Sequence, residues 1–508
     1  MNIFGLAAAA ALAALPSCVR AQDEPSAPAP IVVRIYHTND VHGWIMPRAD
    51  PLEASRPLGG AAALKALLDK DTGPKLVLDA GDWWQGTPEG ALGHGEAVAE
   101  VFDAVGYDAV EIGNHEFDAG ADSLRSLIGK LTMPVLAANI YGADGKRVPW
   151  TKAHVVKEVA GVKFGIFGLL TAHMDKLEFP KNVAGLAFRR EVDEARDQVK
   201  ALRKEGAEVI VAVTHVGYEE PDRPPFEGDQ TIAREVEGID LIVGGHTHTT
   251  LKRAWRDPAH GTLIVQAGYY LTKVGRATLK LDAKAHRLVA ASDELIELRP
   301  DRLGEDPAVK AAVDKAQARV GEAFKLVVAT ATSDLNRGVG RSESGLGSWE
   351  ADCYKDWAGV DAAIVNGGFL RADLPSGPVT LRSLFEAAPF EDTLVKLKMT
   401  GAALRSALDE VVGSPRIAQI GGMTAEISPL KARHQRLGAV TVGGASLDDA
   451  KIYSVATLDF LVSGGGDFAA AVSSETTGTY ARDALRACAE KQKTISPPPA
   501  GRLKDLGD

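Results

Sequence analysis

Cysteine is nearly absent, with three in 508 residues. That is too few for a disulfide framework or a cysteine-built zinc or iron–sulfur centre. Cys18 lies in a leader-like stretch. Cys353 and Cys488 match no metal-ligand spacing; they read as two buried thiols on separate helices, with a disulfide the lesser alternative. Positive charge is also short. Lys and Arg number 57 against 68 Asp and Glu, a net of −11, so the chain offers no broad basic surface to a nucleic acid polymer. Beyond the N-terminus no apolar run is long enough for a transmembrane segment. The composition leaves room for a small anionic partner, held locally by metals and arginines against the overall field.

The N-terminus reads as an export signal over residues 1–21. Phe4 to Leu15 is a short apolar stretch, and Val19-Arg20-Ala21 supplies small residues before a cleavage point near Gln22. No Lys or Arg precedes the stretch, which is unusual for such a signal. The alternative is a lipoprotein anchored at Cys18, since Leu15-Pro16-Ser17-Cys18 loosely resembles a lipobox, although Pro16 fits it poorly. The expected location is the periplasm, with lipid anchoring or secretion as alternatives.

A Pro-rich lead-in, 22–30, precedes a strand-rich region over 31–298. Its apolar runs are 31–37, 75–81, 108–113, 134–140, 163–170, 208–215, 240–246 and 262–268. Several are apolar on consecutive residues, as in strands buried on both faces. Amphipathic stretches at 59–70, 96–105, 120–130 and 191–205 lie between them and predict helices. The fold class is therefore α/β, with chemistry expected on loops beyond strand ends. Residues 299–327 read as a linker helix, and 328–503 as a second domain with its own strands and helices. The tail SPPPAGRLKDLGD reads as a loose end.

Five motifs stand at predicted strand ends: DVH (40–42), GD (81–82), GNHEFD (113–118), THVG (214–217) and GGHTH (244–248). Five of the twelve histidines fall in them; a lone D-x-H occurs often by chance, but all five motifs in order, each at a strand end, do not. Hydrolysing a phosphate ester at neutral pH needs a strong nucleophile and relief of charge on the phosphoryl oxygens. Two metals roughly 3.5–4 Å apart supply both. A bridging carboxylate must hold cations that close, and Asp82 suits it. Asp40 and His42, two apart on an extended segment, share one face. His246 and His248 have the same spacing on a turn, Asn114 offers an amide oxygen, and His215 ends its strand. Mixed N/O ligation suits two divalent ions, Mn, Zn, Co or Fe, without selecting among them. Glu116 and Phe117 read as loop support.

In their order these motifs resemble the calcineurin-like metallophosphoesterase superfamily. Within it, HTNDVHG, GDWWQGTP and GNHEFD resemble the secreted 5′-nucleotidase, UDP-sugar hydrolase and 2′,3′-cyclic phosphodiesterase family. The resemblance implies a four-layer αββα N-terminal domain, a connecting helix and a smaller C-terminal α+β domain. It implies that Asp40, His42, Asp82 and His248 hold one metal, and that Asp82, Asn114, His215 and His246 hold the other. It also implies that His115, oriented by Asp118, stabilises phosphoryl charge, a role open to a histidine whose tautomer a carboxylate fixes.

The C-terminal half resembles the same family in VNGGFLRADLPSGPVT (365–380), AAPFEDTLV (387–395) and DFLVSGGGDFAA (459–470). The implied substrate contacts are Phe390 and Phe468 sandwiching a nucleobase, Asn366 on the base edge, and Arg371 on a phosphate or carboxylate. Arg341, in RSESGLGS, would be a further phosphate contact, though the spacing there is one residue short. Two departures stand out. Phe369 replaces the family's third glycine, and Gly466-Asp467-Phe468 alters its glycine-rich loop. The reaction expected is hydrolysis of nucleoside 5′-monophosphates. The alternatives are cyclic diester or UDP-sugar hydrolysis and, more remotely, a thiosulfate-processing enzyme or a non-catalytic periplasmic binding protein.

Overall fold

The structure is a computed structural model that describes residues 29–507 apart from 51, 54, 220–227 and 339–341. The signal stretch, Cys18 and Arg341 lie outside the described residues. Among the described residues no helix is long and apolar enough to cross a membrane.

All eight apolar runs of the first region become strands, and they divide between two sheets. In the first, Ile31–Thr38, Lys75–Asp79, Ala109–Glu111 and Val135–Leu136 run parallel, with Lys273–Leu281 antiparallel beside Ile31–Thr38. In the second, Val162–Leu170, Val209–His215, Leu241–Gly244 and Leu263–Val265 run parallel. The sheets face each other. Val33, Ile35 and Leu78 of the first meet Phe164, Ile166, Val211 and Val243 of the second in one apolar layer. Each fully buried aliphatic side chain there contributes about 2 kcal/mol. Every residue of Val209–His215 is buried, which explains why its sequence does not alternate.

Helices Ala61–Lys70 and Glu96–Val105 cover the outer face of the first sheet, and Glu191–Lys204 that of the second. The result is αββα. The linker segment contains the helix Pro307–Val320, started by Pro307 and by Asp306, whose carboxylate accepts from the N–H groups of Ala308 and Val309. It lies against the N-terminal half: Val309, Val313 and Ala316 join that core, and Lys315 and Arg319 pair with Glu100.

The C-terminal half is built on a five-stranded mixed sheet ordered Gln419–Gly421, Ala362–Val365, Ile452–Leu458, Thr393–Thr400, Ser473–Tyr480. Helices Gly345–Ala358 and Ala481–Gln492 pack in one core cluster and Gly401–Val412 in another.

Two expectations are corrected here. Cys353 and Cys488 are not separate thiols but a disulfide, with Cα atoms 5.7 Å apart and 135 residues between them in sequence. They do lie on different helices, but those helices pack together, a proximity that spacing does not reveal. The tail is not loose either. Leu503–Asp505 pairs parallel with Met423–Ile427, and Arg502 is held by Asp352. Pro497 to Pro499 carry the chain to that strand, whose N–H groups supply the partners that a loose end would lack.

Candidate active site

The parallel strands of both sheets point their C-terminal ends the same way, so the loops carrying the five motifs meet at one edge of the sandwich. Their backbone is unusual. Asp40, His42, Asp82, His246 and His248 all adopt left-handed conformations, with φ between 51° and 76°. For non-glycine residues such a conformation costs on the order of 1–2 kcal/mol each. It is kept where tight turns must aim a side chain. Close packing enforces the turns: a Cβ on Gly81 would fall 2.6 Å from the Gly113 nitrogen and 2.8 Å from His215 Nδ1. Glu116 ties the loops together, accepting from the N–H groups of Asp82, Trp83 and Gly113.

The structure brings Asp40, His42, Asp82 and His248 together, with one ligand-type atom from each within 4.8 Å of the others. His42 Nε2 and His248 Nε2 face each other at 2.9 Å, and His248 Nε2 is 3.3 Å from Asp40 Oδ1. Asp82 Oδ2 stands between two groups, 3.6 Å from His42 Nε2 and 3.2 Å from His215 Nε2. On the His215 side, His246 Nδ1 is 2.9 Å from Asn114 Oδ1. The outer nitrogens are fixed by carbonyls: His42 Nδ1 by Gln85 O at 2.8 Å and His215 Nδ1 by Ala80 O at 2.6 Å. That leaves Nε2 of each ring facing the carboxylates, the arrangement a metal-ligating histidine needs.

Electrostatics agree. Burial, then the charge of Arg371, holds His42 and His248 well below the usual imidazole range. Burial, then the charge of His215, pushes His246 down to about 3. These rings are neutral and offer lone pairs. His215 goes the other way: burial opposes its charge, but the carboxylates of Asp82 and Asp40 raise it to about 10. Its buried Nε2 stands 3.2 Å from Asp82 Oδ2 without a hydrogen-bond partner, so the buried carboxylates draw positive charge to this point, a charge that a divalent cation would supply. Asp82 is buried as well, yet His215 and His115 hold its carboxyl well below the usual range. Facing lone pairs, an orphaned imidazole nitrogen and a shared carboxylate fit two divalent cations.

His115 Nδ1 lies 3.0 Å from Asp118 Oδ1, while its backbone N–H donates to Asp82 Oδ1 at 3.0 Å. Its ring packs 5.4 Å from that of Phe390, which comes from the C-terminal half. The two halves thus enclose one cavity of about 560 Å³. Asp82, Asn114, His115, His246 and His248 line one side, and Asn366, Arg371, Phe390 and Phe468 the other. Arg371 Nη2 reaches His42 Nε2 at 3.0 Å, and Arg371 O accepts from the Tyr270 hydroxyl and from Arg337. Asn366 Oδ1 is buried without a hydrogen-bond partner.

The two phenylalanines differ. Phe390 is half-buried, whereas Phe468 is 2% exposed and belongs mostly to the core. The altered loop is stable because Arg433 pairs with Asp467 at 3.0 Å and Glu410 accepts from the Asp467 N–H. Sequence reasoning missed Phe460, Phe179, Gln85, Arg416 and Glu178, all of which line the cavity. Phe460 opens the same DFLVSGGGDF stretch that drew attention to Phe468. Tyr269, stacked 5.1 Å from His248, directly follows the predicted strand 262–268. Nothing in the local sequence marks Glu178.

A family model described as calcineurin-like phosphoesterase matches residues 33–250, and one described as 5′-nucleotidase, C-terminal domain, matches residues 327–473. Protein UshA of Yersinia enterocolitica is 28% identical over 481 residues, covering 86% of each chain. The 5′-nucleotidase of Vibrio vulnificus is 28% identical across 91% of this chain and 90% of its own length. Among solved structures, the 5′-nucleotidase precursor from Thermus thermophilus matches with a TM-score of 0.85 at 28% identity. That match covers 94% of this chain and 99% of that one.

Proposed function

This chain belongs to the 5′-nucleotidase family of calcineurin-like phosphoesterases, and on that premise we propose that it hydrolyses nucleoside 5′-monophosphates to nucleoside and phosphate. Asp40, His42, Asp82 and His248 would hold one divalent ion, and Asp82, Asn114, His215 and His246 a second. Ions so held lower the pKa of water and neutralise phosphoryl oxygens. Asp118 accepts from His115 Nδ1–H and fixes the ring; protonated at Nε2 as well, His115 would donate from that nitrogen to charge developing on the phosphoryl group. Arg371 meets the phosphate from the opposite wall with two parallel donors. Phe390 stacks on the base and Asn366 Oδ1 accepts from its edge; Phe468, 2% exposed, would have to swing out of the core to cover the second face.

The observation that carries this reading is the shared cavity: one wall is the metal-ligating set, the other the aromatic and arginine set. The cavity also runs past Phe390 to Phe460 and Phe179. That extra length favours a second reading, in which a longer UDP-sugar or a cyclic diester is the better substrate. Export to the periplasm accords with the leader-like N-terminus and with the Cys353–Cys488 disulfide.

Initial rates of phosphate release from AMP, UDP-glucose, 2′,3′-cyclic AMP and an aryl phosphate, with Mn²⁺ or Zn²⁺ supplied, test the proposal. AMP should be fastest. A rate on AMP no better than on the aryl phosphate would sink the nucleotide reading and leave the metal assignment standing.

A further inference from the structure

The pairing of His115 with Asp118 continues one residue deeper. Behind Asp118 sits Glu178, 6% exposed, just past the short helix Met174–Leu177. One ring nitrogen of His115 and one carboxyl oxygen each of Asp118 and Glu178 all lie within 4.8 Å of one another. Asn182 braces the group. Its Nδ2 donates to Glu178 Oε2 at 3.2 Å and to the Asp118 carbonyl at 3.0 Å, and its own carbonyl accepts from the Ala121 N–H. The neighbouring Phe179 meets Phe460 of the C-terminal half edge-on at 5.9 Å. The segment therefore touches both the histidine–aspartate pair and the opposite wall of the cavity.

A buried carboxyl and a half-buried one this close repel each other when both are ionised. Burial raises both Asp118 and Glu178 well above the usual carboxylate range. One proton shared between them would leave a single negative charge beside His115.

We propose that Glu178 is a positioning residue for the phosphoester reaction: in its neutral form it donates to the Asp118 carboxylate, fixing the oxygens that accept from His115 Nδ1–H. This rests on the phosphoesterase reading of His115. The side chain borders the cavity but is not among the residues assigned to the metals; in this role it acts through Asp118. An amide can replace the donor, whereas an aliphatic side chain cannot.

The test uses the full chain with metals supplied, AMP and an aryl phosphate as substrates, and the variants Glu178→Leu and Glu178→Gln. Wild-type turnover of the aryl phosphate is read first. If there is none, the phosphoesterase reading itself fails and this inference falls with it. Glu178→Leu should lower kcat about 10-fold on both substrates, as expected for a misoriented acid–base partner, with KM within about 2-fold. Glu178→Gln should recover kcat to within about 3-fold of wild type. The downfield Nδ1–H proton resonance, assigned by its loss in His115→Gln, should persist in Glu178→Gln and broaden in Glu178→Leu. A Glu178→Leu kcat within about 2-fold of wild type, a loss confined to KM, or a Gln variant as impaired as the Leu variant would each overturn the proposal. The Gln variant is isosteric, so the comparison survives if Glu178→Leu lowers the folded fraction.

Discussion

In the N-terminal half, Asp40, His42 and His215 are fully buried; left-handed turns set Asp40 and His42, carbonyls fix the rings of His42 and His215, and Glu116 braces the Asp82 loop. Across the cavity, Phe390 and Asn366 are half-buried, and Arg371 reaches over with a long, rotatable side chain. One wall is fixed by backbone and the other by side chains. Preorganised charge stabilisation needs atoms that stay put, whereas recognition of differing leaving groups tolerates a wall that adjusts. On the proposed reading, the same fixed wall would serve several phosphate esters, and the choice among them would fall to the C-terminal half.

The largest effect should come from the fixed wall. Asp82→Asn is expected to lower turnover of every phosphate ester by about 10³-fold or more, roughly 4 kcal/mol of transition-state stabilisation. Substantial kcat after metal reconstitution, with metal content measured by mass spectrometry, would break the assignment. Arg371→Ala, removing the adjustable group proposed to meet the phosphate, should lower kcat/KM about 10²-fold on nucleotide and aryl phosphate alike. Phe390→Ala sharpens the contrast. Loss of one stacking face costs roughly 1–3 kcal/mol, so kcat/KM for AMP should fall about 10-fold or more while a small aryl phosphate stays within about 3-fold. Equal losses on both would mean that the ring supports His115 rather than the base. The smallest effect on turnover should follow Cys353→Ser combined with Cys488→Ser. Closing a 135-residue separation, the bridge stabilises by about 2–5 kcal/mol. Calorimetry should show a lower Tm for the C-terminal half, with kcat at about 25 °C little changed.

The sequence is most legible where burial is complete. Strands such as Val209–His215 announce themselves by unbroken apolar residues, and their ends locate His215 without any further knowledge. Ligand residues two apart, as in Asp40 and His42, can be matched to one another because local geometry controls their reach. What stays hidden depends on contacts distant in the chain. The Cys353–Cys488 bridge requires knowing that two helices pack side by side. The strand Leu503–Asp505 requires a partner some eighty residues away, and its own sequence is polar and Pro-flanked. Glu178 looks like any surface glutamate until the fold closes over it. The order Gly466-Asp467-Phe468 reads as disruptive, but Arg433 and Glu410 absorb the change.

The left-handed turns at Asp40, His42, Asp82, His246 and His248 also narrow what evolution can try there. Among side-chain-bearing residues, Asn, Asp and His are the types most often found in that conformation, and β-branched residues are the least tolerated. Those three also carry the oxygen and nitrogen donors that divalent ions accept. Backbone and chemistry thus pass nearly the same short list. A drift from Asp to Asn at one of these sites costs little in folding while removing a charge. Inactive relatives of this chain should therefore surface as well-folded proteins whose defect lies only in the missing charge.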